Sequence, residues 1–179
     1  MHIVHLYKDY FPVLGGIENY IKTLAEAQSA AGHRVTVLVC DPGRRTRLET
    51  LREVEIIKAG RLITVASMPL SLAQPQVLVS LQPDITHVHS PYPLGEVTNW
   101  LLGRARVTVL TYHSDVVRQR TWLRLYGPFL HRVLRSADQI IATSPRYVES
   151  SPWLRPIREK CTVIPLGIDT GRFAPTNRK

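Results

Sequence analysis

Apolar residues along the chain fall into short blocks that alternate between two spacings. "HIVHL" (2–6), "RVTVLVC" (34–40), "DITHVH" (84–89), "RVTVLTYH" (106–113), "QIIAT" (139–143) and "CTVIP" (161–165) are compact and rich in β-branched residues. Each predicts a strand. Between them the apolar positions recur every three or four residues. Ile17, Tyr20, Ile21, Leu24, Gln28 and Ala31 follow helical spacing, and Gly32 is placed to close that helix at C′. Helices are also predicted over 94–103, ending near Gly103, and over 119–136. A weaker helical pattern covers 70–82, where Pro75 interrupts it. "DPGRRTRLETLR" (41–52) is polar and basic and predicts a loop, while "VEIIKA" and "LITVA" predict a strand pair or one bent strand.

Strands alternating with helices, the strands apolar almost throughout, predict a parallel sheet covered on both faces. The expected fold class is α/β, a Rossmann-like, doubly wound, mostly parallel sheet. Ligands of such sheets sit beyond the carboxyl ends of the strands. The polar residues just past each strand are therefore the candidates for chemistry. The tail "PLGIDTGRFAPTNRK" (165–179) loses periodicity and gathers Gly, Pro and charge, which predicts a linker after a domain spanning 1–164.

Composition narrows the picture. A chain of 179 residues with 44% hydrophobic content suits one packed domain or one lobe of something larger. A formal charge of +9 implies anionic company: phosphates, nucleic acid or an acidic membrane face. The basic residues are scattered over separate elements without a nucleic-acid-binding motif, so nucleic acid is not the expected partner. Cys40 and Cys161 are only two, with no CxxC spacing, which favours a reducing compartment. No apolar run reaches the ~18 residues that span a bilayer. "HIVHLY" after Met1 lacks the basic start and cleavage site of a secretory leader. The expected location is cytoplasmic.

The stretch "YKDYFPVLGGIENYIKTLAEA" holds the first candidate site. Gly15 and Gly16 lie between the first strand and the first helix, where free N–H groups and the positive helix end suit an anion. A tight turn would explain one glycine; two adjacent ones favour close approach of a ligand to bare backbone. The dinucleotide fingerprint GxGxxG and the Walker lysine motif are both absent. Glu18 falls in the first helical turn and reads as a helix-end charge.

Further along, His87 and His89 share one strand face by period two. No Cys, Asp or Glu nearby completes a metal set, so His89 is expected to line or order the floor of a cleft, and no metal is expected. In "TVLTYHSDVV", His113 stands where its strand stops. A neutral imidazole there would hydrogen-bond a sugar hydroxyl and an imidazolium would pair with phosphate. Asp115 would orient His113 or accept from a hydroxyl; a buried histidine followed by a capping Ser or Asp is the structural alternative. The run 118–135 interleaves Trp122 and other apolar residues with Arg118, Arg120, Arg124, Arg132 and Arg135. It reads either as a solvated basic face or as a surface for anionic lipid.

In order and spacing, "FPVLGGIE", "AAGHRVTVLV", "PDITHVHSP", "TYHSD", "SADQIIATSP" and "VIPLGIDTGRF" resemble the N-terminal lobe of a GT-B glycosyltransferase of the retaining family 4. The resemblance runs from Met1 to about Phe173. It implies a lobe that binds the hydroxyl acceptor and faces a nucleotide diphosphate sugar donor. Gly15 and Gly16 would face the donor diphosphate and the acceptor, with His89 nearby. His113 would contact the transferred sugar, and Asp115 would lie beside it. No metal cofactor is implied. Many acceptors of the family are lipid-linked, which would seat Arg118, Arg120, Trp122 and Arg124 at the inner membrane face as an acceptor or membrane surface. The second lobe, which carries most nucleotide contacts, would be supplied in cis or by a separate chain. The 179 residues alone are therefore expected to be inactive. Leu166 departs from the asparagine common in the family. The residues leave two other readings open: a non-catalytic Rossmann-like module that binds sugar phosphates or anionic lipid, and a relative of nucleotide-dependent epimerases or dehydrogenases, which the missing fingerprint opposes.

Overall fold

The computed structural model describes residues 1–65, 68–115 and 120–167, the stretch 120–125 by its backbone alone. Among the described residues the elements run β1 (His2–Leu6), α1 (Gly16–Ala30), β2 (Arg34–Cys40), β3 (Arg47–Leu51), β4 (Val54–Ala59), β5 (Ile63–Val65), β6 (Met68–Leu70) and α2 (Ala73–Leu81). They continue as β7 (Ile85–Ser90), α3 (Pro93–Leu102), β8 (Val107–Tyr112), α4 (Arg120–Ser136), β9 (Gln139–Ala142), α5 (Pro145–Ser150), a 3₁₀ turn (Arg155–Lys160) and β10 (Cys161–Val163). An eight-stranded sheet has the order β10-β9-β8-β7-β1-β2-β4-β3, parallel except for β3. The α/β, doubly wound class expected from the sequence is the one observed.

The chain builds outward from β1 in one direction through β2, β4 and β3, then returns to lay β7 on the other side of β1. The switch point lies between β1 and β7. In sheets of this kind the loops leaving the strands at a switch point part there, and ligands bind in the crevice beyond the carboxyl ends. β1 and β7 are buried on both faces, although His5, Thr86, His87, His89 and Ser90 are polar members of that buried pair. On one face α1 packs Ile21 and Ala25 against Val35, Val37, Val39, Val54 and Ile56. On the other, Leu78 of α2 and Leu130, Val133 and Leu134 of α4 cover Val4, Leu6, Leu38, Val88 and Leu110.

Local signals explain the helix ends. Gly32 adopts φ +86°, and the paired bonds Gly32 N to Ser29 O (2.9 Å) and His33 N to Gln28 O (3.2 Å) close α1 in a Schellman motif. Pro75 does not break α2, because it sits in the first turn, where its missing N–H would have no helical partner.

Three expectations need correction. The segment 41–52 is not all loop, since Arg47–Leu51 forms the antiparallel edge strand β3 on β4. An edge strand with both faces largely wet carries no apolar alternation. Its two-residue turn uses Arg52 and Glu53 at positive φ instead of the usual Asn-Gly signal. "VEIIKA" and "LITVA" do not pair: β4 joins the main sheet, and β5 forms a separate hairpin with β6. The third concerns 145–160, left without an element by the sequence pattern. It holds α5, capped by Ser144 Oγ accepting from Tyr147 N (3.2 Å), and the 3₁₀ turn. Of the expected linker 165–179, residues 168–179 lie outside the described residues.

Asp41 anchors the β3 edge. Its side chain is buried, and its carboxylate accepts from Gly43 N (2.5 Å) and from Arg47 Nε (2.6 Å). Burial alone would raise its pKa, but these two donors outweigh it and hold the group below the usual carboxylate value. A depressed folded pKa contributes stability above the unfolded value of ~4 and loses it as pH falls through the folded value. Arg47→Ala should therefore cost about 1 kcal/mol at pH 7, because solvent screens the half-exposed arginine. Urea denaturation at pH 7 and near pH 3 checks this: the two proteins should converge in acid, and an equal gap at both pH values would contradict the assignment.

Candidate functional site

The crevice at the switch point is walled by the loop after β1, the start of α1, and the ends of β7 and β8. The loop is pinned by polar contacts inside the protein. Tyr7 N donates to Leu38 O (3.2 Å), Cys40 N to Lys8 O (3.1 Å), and Gln74 Nε2 to Tyr7 O (3.3 Å). Tyr92, buried at the end of β7, donates its hydroxyl to Gln74 Oε1 (2.6 Å) and its backbone N–H to Glu96 Oε1 (2.6 Å). Glu96 also accepts from the Tyr126 hydroxyl. Burial raises the Glu96 pKa, partly offset by those donors. The β1 loop, α2, α3 and α4 are thereby tied together behind the crevice.

The two glycines do different things. Gly15 is the N-cap of α1 in extended backbone, and Asn19 N donates to its carbonyl (3.0 Å). A Cβ on Gly15 would overlap the carboxylate of Glu18, which folds back over the helix start and is buried there. A side chain at Gly15 would require the flexible end of Glu18 to move. Gly16 has open space where its Cβ would stand, so it is the glycine that leaves backbone accessible to a ligand. Glu18 is a buried first-turn acid rather than a solvated one, and its charge suits the positive end of the helix.

Histidines line the α1-covered face from the strand ends inward. The ring of His113 contacts His89 through Nε2 and Nδ1 (3.2 Å), and the backbone N–H of His113 donates to Ser90 O (3.0 Å). Tyr20, one turn into α1, sets its ring edge-on to His113, with centroids 5.2 Å apart. Behind His89, its Nε2 meets His5 Nδ1 (3.0 Å), and His5 Nε2 meets Gln28 Oε1 (2.7 Å). His87 stacks on His89 and bonds Thr111 Oγ1 (2.6 Å). Burial lowers the pKa of His113 and of His5 to about 4, and burial with the neighbouring rings lowers His87 and His89 well below the ordinary value. All four are neutral at pH 7. Of the two chemistries open to His113, the hydrogen-bonding imidazole is the one this environment favours.

His89 is 0% exposed and lies beneath His113, so the structure places it in the floor rather than on the accessible surface. Asp115 does not orient His113: its Oδ1 accepts from the hydroxyls of Tyr112 (2.9 Å) and Ser151 (2.9 Å), which ties Asp115 to the end of β8 and to the residue that ends α5. His5, Gln28 and Tyr20 were missed as site residues by sequence reading. The signal was present, since His5 and His87 are register partners on adjacent strands, but strand order had to be known first. One nitrogen each of His5, His87 and His89 lies within 4.8 Å of the others, a cluster made of histidines alone. His5 and His89 hydrogen-bond each other, His5 also meets Gln28, and His87 meets Thr111.

Arg118 lies outside the described residues, as do the side chains of Arg120, Trp122 and Arg124. Farther along α4, Leu130, Val133 and Leu134 are ordinary core, while Phe129 and Arg132 face outward. No helix among the described residues is long and apolar enough to cross a membrane.

Comparison with known proteins places this geometry in a family. The sequence model of Glycosyltransferase Family 4 matches residues 14–172. The chain is 34% identical to O-antigen chain mannosyltransferase C of Escherichia coli, with 94% of this chain and 46% of that protein covered. It is also 34% identical to D-rhamnosyltransferase WbpZ of Pseudomonas aeruginosa, covering 94% of this chain and 45% of that one. It thus spans about half the length of these relatives. Among solved structures, sucrose-phosphate synthase of Thermosynechococcus elongatus superposes with a TM-score of 0.71 at 20% identity, over 98% of this chain and 50% of that chain. Anabaena Alr3699/HepE in complex with UDP-glucose gives 0.62 at 15% identity, over 99% and 47%. With a match over most of its length and a fold shared with half of each such enzyme, the chain belongs to Glycosyltransferase Family 4.

Proposed function

We propose that the chain is the acceptor-side lobe of a retaining glycosyltransferase that moves a sugar from a nucleotide diphosphate sugar to a hydroxyl acceptor. The observation that carries this reading is the pairing of open backbone at Gly16 with neutral His113 across one crevice, bridged by Tyr20. The exposed helix start at Gly16 suits the donor phosphates once the Glu18 carboxylate swings aside. His113 suits a hydroxyl of the transferred sugar. Retention follows from the family resemblance, and a second lobe would hold the nucleotide and most of the phosphate charge. The transfer is proposed to need no metal ion, stabilisation of the leaving diphosphate coming from helix dipole and fixed donors. The names of the relatives favour a mannose or rhamnose donor and an O-antigen type polysaccharide acceptor. Asp115 serves by holding the crevice wall.

A protein carrying both lobes, assayed with radiolabelled GDP-mannose and an oligosaccharide acceptor, tests the reading. His113→Ala should lower kcat a few hundredfold, about 3 kcal/mol, if it resembles other transition-state hydrogen-bond groups. Activity equal to the parent would remove His113 from the mechanism. A protein that binds sugar phosphate but never transfers would favour the non-catalytic module.

Gly16→Ala separates ligand approach from turn geometry. Alanine meets no atom there and is the better helix former by up to ~1 kcal/mol, so thermal stability should hold or rise while transfer falls. Unchanged transfer would mean that no ligand approaches this backbone.

We also propose peripheral binding at the cytoplasmic membrane face through Arg118, Arg120, Trp122 and Arg124, on the basic amphipathic sequence alone. Cosedimentation with phosphatidylglycerol vesicles should be strong at low salt and weak at high salt. Absence of binding at low salt would exclude it.

A further inference from the structure

We propose that Gln28 fixes the proton order of the chain His5–His89–His113, so that His113 presents an unprotonated Nδ1 and selects a hydroxyl as its ligand. This rests on the proposed role of His113 at the transferred sugar. The contacts run without a break from the last turn of α1 to the crevice: Gln28 Oε1 to His5 Nε2 (2.7 Å), His5 Nδ1 to His89 Nε2 (3.0 Å), and His89 Nδ1 to His113 Nε2 (3.2 Å). A neutral imidazole has one N–H and one lone pair.

The order follows from the first link. The amide oxygen of Gln28 can only accept, so the proton of His5 sits on Nε2. His5 Nδ1 must then accept, which places the His89 proton on Nε2. His89 Nδ1 accepts in turn, which places the His113 proton on Nε2 and leaves its Nδ1 as a lone pair. Burial keeps every ring neutral and makes a broken link costly, so the links are set together. The reverse order, started by an amide N–H of Gln28, would put a proton on His113 Nδ1 and suit a phosphate or carbonyl oxygen. Gln28 is a positioning residue some three rings from the ligand. Its own position is set by the Schellman closure, through the bond from His33 N to its carbonyl.

Two variants and two readouts test this. Long-range ¹⁵N–¹H spectra of the 179-residue chain report the tautomer of each histidine. The parent and Gln28→Glu, whose carboxylate also accepts, should show Nε2–H at His5, His89 and His113. Gln28→Met, which neither donates nor accepts as a side-chain amide does, should show mixed tautomers at His113. Nδ1–H at His113 in the parent, or tautomers unmoved by Gln28→Met, would overturn the inference. In a two-lobe protein, Gln28→Met should lower kcat about tenfold with KM little changed, and Gln28→Glu should restore it. An intact kcat in Gln28→Met beside scrambled tautomers would equally overturn the link to ligand selection. If instead the tautomers follow Gln28 while even the parent transfers nothing, the transferase reading fails and the proton order stands.

Discussion

The pair β1 and β7 is buried on both faces, and the rest of the structure depends on how that pair accommodates polar side chains. A doubly covered parallel strand would ordinarily be aliphatic throughout. Here one face carries Val4, Leu6 and Val88 beside Thr86, and the other carries His5, His87 and His89. A buried polar group without a partner costs more than the bond itself supplies. The histidines therefore need each other, Thr111, and Gln28 from the covering helix. That requirement fixes where α1 lies along the sheet. It also fixes where the helix begins, and so where Gly16 meets the crevice.

The crevice itself needs no element of its own. It exists because the chain reverses its direction of winding between β1 and β7, and the loops from those strands part company. Gln74 and Glu96 hold the divergent loops by hydrogen bonds to the backbone of Tyr7 and Tyr92, and the Tyr92 hydroxyl donates to Gln74. A loop tied in this way keeps its shape while still presenting unhindered backbone at its end. The inward side of Gly15 is filled by Glu18, and the outward side at Gly16 stays clear.

Much of this was legible in the sequence, and the failures have physical causes. Strands buried on both faces announced themselves by composition, and Gly32 by its need for positive φ. The places of His113 at a strand end and Gly16 at a helix start were readable because such ends can be located from pattern alone. The edge strand β3 escaped because half-wet strands carry no apolar code, and its turn used Arg52 and Glu53 at positive φ. The residues behind His89 escaped because His5 and Gln28 are brought to it by strand order and by the packing of α1, which local periodicity does not encode. Asp115 looked like a partner of His113 by adjacency. Residues two apart in an extended segment need not converge, and its carboxylate turned to Tyr112 and Ser151.

A row of neutral histidines inside a sheet also sets an acid boundary for the whole fold. Folded, His5 and His113 keep pKa values of about 4, and His87 and His89 lie well below the ordinary 6.5. Unfolded, all four regain that ordinary value. Between the two, the unfolded chain binds protons that the folded chain refuses. Stability is full above pH ~6.5 and drains as pH falls from there toward the folded values, by up to about 1.4 kcal/mol per pH unit for each ring. The arrangement that holds the crevice together thus couples folding to proton uptake in a range where carboxylate pairs are still intact. Calorimetric unfolding in buffers of different ionisation enthalpy would count those protons, and a count of zero near pH 5.5 would mean the rings are not held neutral.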